Sequence, residues 1–302
     1  MADKFMKSIT FVEGGDTYYH LPKVTNADDG KVLKVVDGEW SLDDLIHLPY
    51  LSFLGNEDFT LKTDNTSKNW DGTLEYSTDA VNWNTWNGTA ISSAGSKLYL
   101  RGTGNTKITG DSTRYRFIFT GTSALKMTCE GNIENLLDYA TVSAGGHPAM
   151  AEYCYRSMFD GCTSLTTAPE LPATTLAEGC YFSMFDSCTA LTTAPALPAT
   201  TLANYCYAYM FHGCTALVTA PALPATTLAE GCYYNMFSGC TKIKLSTTQT
   251  GEYQTSYRIP KSGTGTTADY AMDDMFATTG GAFTGTPSIN TTYYLSTNNI
   301  VV

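Results

Sequence analysis

From Cys154 onward the apolar and polar positions recur with a fixed period of 26 residues. The unit CYRSMFDGCTSLTTAPELPATTLAEG, starting at Cys154, is followed from Cys180 by CYFSMFDSCTALTTAPALPATTLANY, and the two agree at 20 of 26 positions. A third copy starts at Cys206. A fourth starts at Cys232 and loses register after Ile243, and a degenerate copy at Tyr270-Ala-Met-Asp-Asp-Met275-Phe276 follows an insertion. Such regularity is the signature of stacked units, each too small to bury its own apolar face. Within a unit, Leu176, Cys180, Met184 and Cys188 fall at steps of four and Phe185 widens the stripe, which predicts the buried face of a helix. Thr175-Leu-Ala-Glu178 and Thr227-Leu-Ala-Glu230 fit capping boxes that open such helices. Gly161, Gly213 and Gly239 stand where the helices would close. Leu165-Thr-Thr-Ala-Pro-Glu-Leu-Pro172 reads as a short extended piece with proline stops.

The chain ahead of the repeats has a period nearer two. Phe59–Thr63, Leu74–Ser77, Lys97–Arg101 and Tyr115–Phe119 are short alternating runs. Turns such as Asn87-Gly88 and Gly102-Thr-Gly104 separate them, predicting a small antiparallel sandwich. Further upstream, Ile9–Val12 and Thr17–Leu21 flank Gly14-Gly15 and read as strands. About 48 residues bury too little to stand alone, which points to an oligomeric base or a docked partner.

Charge narrows the partners. With 18 Lys and Arg against 29 Asp and Glu, the net charge of −11 argues against nucleic acid or an anionic membrane. No run of 18 apolar residues spans a bilayer, and Met1-Ala2-Asp3-Lys4-Phe5 opens no secretory signal.

Candidate chemistry is sparse. Eight of the nine cysteines form two series at the repeat period, and no His or carboxylate recurs beside them. They read as small buried hydrophobes with free thiols rather than as metal ligands. His20, His47, His147 and His212 have no metal-ligand spacing, and neither a nucleophile elbow nor a paired-carboxylate constellation is present. The expectation is a protein that is no enzyme and carries neither cofactor nor metal. Contact residues are sought where a near-identical frame varies. Positions 156, 182, 208 and 234 hold Arg, Phe, Ala and Tyr; 157, 183, 209 and 235 hold Ser, Ser, Tyr and Asn. This singles out Phe182, Tyr209 and Tyr234. Thr167, Thr193 and Thr219 would line the strand face, and Trp83 and Trp86 would stack on a sugar ring unless one of them fills the sandwich core. Residues 157–241 contain no Lys or Arg, which disfavours an anionic ligand there.

Two resemblances follow from these strings. Met-Phe-x-Gly-Cys-Thr-x-Leu and Leu-Pro-Ala-Thr-Thr-Leu-Ala resemble the BspA-like leucine-rich repeats of gut Bacteroidetes and their phages. Residues 22–40, with Val24, Val32, Leu33, Val35, Val36 and Trp40, resemble the attachment end of phage fibres, head fibres included. The fold expected is therefore multi-domain α+β: a small β-rich attachment segment at 1–48, a β-sandwich at 49–129, and a leucine-rich-repeat-like solenoid with a C-terminal cap at 130–302. The resemblances imply a homotrimeric fibre on the virion surface, assembled in the host cytoplasm, head favoured over tail. Its N-terminus would hold capsid or tail proteins and its repeats a bacterial or mucus glycan or protein. The alternative is a bacterial cell-surface adhesin.

Overall fold

The computed structural model describes residues 31–36, 39–44, 48–65, 68–110, 115–260, 270–289 and 291–302. It divides into two compact units, 1–47 and 48–302. In the first, β1 (Lys31–Val36) and β2 (Glu39–Asp44) form an antiparallel pair running from Lys31 opposite Asp44 to Val36 opposite Glu39. The strands expected at Ile9–Val12 and Thr17–Leu21 lie outside the described residues.

The second unit begins with β3 (Leu51–Gly55), β4 (Thr60–Thr63), β5 (Thr73–Ser77), β6 (Asn84–Trp86), β7 (Ile91–Ser92), β8 (Lys97–Thr103), β9 (Phe117–Thr120) and β10 (Met127–Glu130). A helix, α1 (Asn135–Ser143), follows, then β11 (Leu165–Thr167), which adds to a six-stranded sheet ordered β11-β10-β3-β8-β5-β6. β7, β4 and β9 make a second sheet. Alternation explains the pairing: Leu98 and Leu100 of β8, with Leu51 and Phe53 of β3, are fully buried. Rings join the two sheets, Phe53 lying 5.3 Å from Phe119 and Trp86 5.4 Å from Phe117. α1 packs on β8 at Gly102, where any Cβ would meet the Leu136 carbonyl at 1.7 Å. Asp138 interrupts α1 with φ −154° and its carboxylate accepts the Thr141 amide, capping the second part.

The repeats contain no α-helix, and the α+β solenoid expected from the sequence is corrected to a β-rich fold. Among the described residues the only helix is the nine-residue α1. The reason lies in the backbone. Tyr153, Ser157 and Gly161, then Gly179, Ser183 and Ser187, then Tyr205, Tyr209 and Gly213, then Gly231, Asn235 and Gly239 all have φ between +52° and +79°. A left-handed residue at every fourth position stops an α-helix before it completes a second turn. The amides find other partners. Those of Tyr153, Tyr155, Ser157, Phe159 and Gly161 donate to carbonyls of the next copy, at Glu178, Cys180, Phe182, Met184 and Asp186, over 2.8–2.9 Å. The intervening amides of Arg156, Met158, Asp160 and Cys162 close turns onto the carbonyl three residues back. Thr175, expected to cap a helix, pairs in parallel with Thr201 instead. Each copy is thus a run of tight turns, hydrogen-bonded to the copies on either side.

Side chains repeat with the backbone. Tyr155, Tyr181, Tyr207 and Tyr233 stack at 5.6–5.9 Å, and Phe159, Phe185, Phe211, Phe237 and Phe276 at 5.4–5.7 Å, all nearly parallel. Met158, Met184, Met210, Met236 and Met275 are fully buried beside them. Phe276 brings in the degenerate copy, whose Ala271, Asp273, Met275 and Ala277 carbonyls accept the amides of Tyr233, Asn235, Phe237 and Gly239. The intervening insertion carries β14 (Tyr253–Tyr257), after β12 (Thr219–Ala220) and β13 (Leu245–Ser246). With β15 (Tyr293–Ser296) it forms a three-stranded sheet ordered β13-β15-β14, while β16 (Ile300–Val301) pairs in parallel with β12. At the other end Phe159 meets Phe117 at 6.0 Å, so the core of the two sheets and the core of the repeats are continuous.

The nine cysteines are free and buried. The Cys188, Cys214 and Cys240 thiols donate to the Phe159, Phe185 and Phe211 carbonyls of the preceding copy at 3.0–3.1 Å. Cys162 bonds to the Phe117 carbonyl of β9. Burial pushes the Cys162 and Cys232 thiols up to about 12, far from the reactive thiolate form.

Candidate ligand-contact surface

The varied positions of the repeats come together as one stripe. Phe182 and Tyr209 lie 5.6 Å apart, Tyr209 and Tyr234 5.2 Å, and Tyr234 and Tyr270 6.4 Å. The rings meet at 52°, 87° and 74°, unlike the parallel stacks beneath them. Arg156 ends the stripe, its guanidinium 4.9 Å from the Phe182 ring and 5.4 Å from that of Tyr153. Phe182, Tyr209 and Tyr234 are half-buried, and Tyr270 is 59% exposed. The sequence frame therefore located three members, while Tyr153, in a column that alternates Tyr, Gly, Tyr and Gly at 153, 179, 205 and 231, and the displaced Tyr270 were missed.

Polar groups border the stripe. His212 sits 5.8 Å from the Tyr209 ring, and its Nδ1 lies 3.0 Å from Oδ1 of Asp186, which also accepts the Ser187 hydroxyl at 2.8 Å. Partial burial, a hydrogen bond with Tyr234, and then the Asp186 and Asp274 carboxylates push the Tyr209 hydroxyl up to about 12. Tyr209 also has the left-handed φ of +56°. Its aligned neighbours are the smaller Ser157, Ser183, Asn235 and Asp274, so a bulky side chain is held here against its backbone preference.

The other expected contact residues are dispersed. Thr167 and Thr193 are exposed and pair in parallel, but Thr219 is buried in β12, its hydroxyl accepting the Ala194 amide at 2.6 Å. Trp86 is a core residue stacked on Trp70 at 5.3 Å, with its indole N–H donating to the Thr89 carbonyl. Trp83 is half-buried beneath Arg101, whose guanidinium lies 4.0 Å from its ring and 4.5 Å from Tyr139, and whose Nε reaches Glu75 at 2.8 Å. Its own chain already occupies that indole face. Val32, Leu33, Val35, Val36 and Trp40 are strand residues of β1 and β2. Val24 lies outside the described residues.

One buried carboxylate had no signal in the sequence. The Glu134 side chain is 0% exposed, and Oε2 meets His147 Nδ1 at 2.7 Å, while Oε1 has no hydrogen-bond partner. Burial raises the Glu134 pKa despite that contact and one with Asn132. The pair borders a groove of about 470 Å³ lined by Met150, Ala173 and Leu176.

Among the described residues no three His, Cys, Asp or Glu side chains are grouped to hold a metal, and no helix is long and apolar enough to cross a membrane. What the surface offers is aromatic contact bordered by carboxylates. No family model, no curated protein and no solved structure matches the chain.

Proposed function

We propose that the chain is a structural fibre protein of a bacteriophage, on the head rather than the tail, which adheres to a bacterial or mucus surface through its repeats. The stripe from Arg156 to Tyr270 carries the adhesive part of this reading, because its rings are left partly open while every equivalent stacked ring beneath is buried. The resemblance of residues 22–40 to fibre attachment ends supports the virion part, with a trimeric base supplying the burial so short a segment lacks. Contacts of this kind are weak singly, and trimers in many copies would add avidity.

Binding of purified protein to intact bacteria and mucus glycans tests the adhesive part. Tyr209→Gly suits the left-handed backbone while removing the central ring, so it should keep the melting temperature and lose about tenfold in binding. Unchanged binding would refute the stripe. Labelling of intact particles should place the protein on the head, and its recovery from uninfected cell surfaces would favour the bacterial adhesin.

A further inference from the structure

The geometry points to a cationic ligand: we propose that the stripe binds a glycan bearing free, protonated amino groups. This rests on the adhesive reading above and adds the chemical class of what is bound.

Ring orientation is the first argument. A neutral pyranose stacks on a flat aromatic platform, whereas Phe182, Tyr209, Tyr234 and Tyr270 meet at steep angles of 52°, 87° and 74°. Steeply inclined rings in edge-to-face contact offer no flat platform, but the negative face of each partly exposed ring suits an ammonium group resting on it. The molecule supplies an internal example, since the Arg156 guanidinium already rests against Phe182 and Tyr153 at one end. Charge is the second argument. Residues 157–241 contain Asp160, Glu170, Glu178, Asp186 and Glu230 but no Lys or Arg. Asp186 and Asp274 come close enough to the Tyr209 hydroxyl to disfavour its ionisation. An approaching amine thus meets the Asp186 and Asp274 carboxylates beside the Tyr209 ring, while the guanidinium of the stripe, Arg156, stands at its other end against Phe182 and Tyr153. The third argument is the backbone at Tyr209. A bulky residue is kept at φ +56° where the aligned positions hold Ser, Asn and Asp, and such retained strain marks a position whose side chain is used. The pieces agree on one occupant: sugar rings for contact area, amines for the exposed ring faces beside the carboxylates.

The full chain is titrated with a glucosamine hexamer and, separately, with the N-acetylglucosamine hexamer of equal length, at low and high salt. The amine form should bind roughly tenfold more tightly at low salt and lose most of that advantage at high salt. Asp274→Asn, at an exposed site, and Asp186→Asn should each reduce the preference for the amine, and Tyr209→Gly should abolish it. Equal affinity for the two hexamers, or a preference untouched by both Asp variants, overturns the cationic ligand and leaves the adhesive stripe standing. Binding to neither hexamer also overturns it. If the wild type then fails to bind cells as well, the adhesive reading falls with it.

Discussion

The two-sheet region and the repeats share one core but hold their backbones by different rules. In the sheets, β3 lies between β10 and β8, and β8 between β3 and β5, so each strand depends on partners of unrelated sequence. In the repeats, each turn bonds to a near copy of itself, and one set of side chains serves as both upper and lower surface. A conformation unfavourable in isolation, such as left-handed Tyr153 or Ser183, is then imposed on every copy by the bonds of its neighbours. Repetition lets strain be carried that a single sheet would expel.

The strongest way to break this contrast is to remove a ring in the middle of the stack. Phe211→Ala should cost about 3–5 kcal/mol, because Phe185 and Phe237 both lose a stacked neighbour. Trp70, Trp83 and Trp86 belong to the two-sheet region and Trp40 to β2 of the first unit, so in a Trp40→Phe background the fluorescence reports the two sheets alone. Since Phe159 touches Phe117, the tryptophan transition in urea should shift with the variant. A tryptophan midpoint that stays in place would mean that the regions unfold separately.

A smaller effect sharpens the same point. A Cβ on Gly179 would lie 2.3 Å from the Tyr153 ring, and one on Gly231 equally close to Tyr205. Gly179→Ala should therefore lose about 1–3 kcal/mol, and adding Tyr153→Ala should restore part of it. Additive losses would show that the conformation of Gly179, rather than the ring above it, sets the cost.

The smallest effect concerns Glu134. Its raised pKa means that the folded chain binds this proton more tightly than the unfolded chain, so the stabilisation is present at low pH and lost as pH rises through the folded value. Glu134→Gln should match the wild type near the ordinary carboxylate pKa of about 4.3 and exceed it in melting temperature at neutral pH. A difference that does not change across that range would remove the charge-burial explanation.

Much of the interior was legible and the conformation of the repeats was not. Met184 and Phe185 announced themselves as core by recurrence, and alternation located β4, β5, β8 and β9 to within two residues. Steps of four between Cys180, Met184 and Cys188 match a helix, yet they match equally a chain of turns whose left-handed residues also fall every fourth position. Spacing alone does not separate the two. The Thr-x-x-Glu pattern misled for a related reason: Glu178 and Glu230 serve the hydroxyls of Tyr153 and Tyr205 in the preceding copy rather than a local amide. Thr219 looked equivalent to Thr193, but β16 returns from the far end of the chain to cover it. Of the surface stripe, the sequence exposed Phe182, Tyr209 and Tyr234, which vary within the repeat frame, and hid Tyr153, just ahead of the first copy, and Tyr270, which the insertion displaces.

The contact between Tyr153 and Gly179 recurs between Tyr205 and Gly231, so along this column tyrosine and glycine take turns from copy to copy. Copies of odd and even rank are therefore not interchangeable. Gain of one module would set ring against ring or leave a gap, whereas gain of two preserves every match. Any lengthening or shortening of this protein by duplication or deletion should proceed in steps of 52 residues.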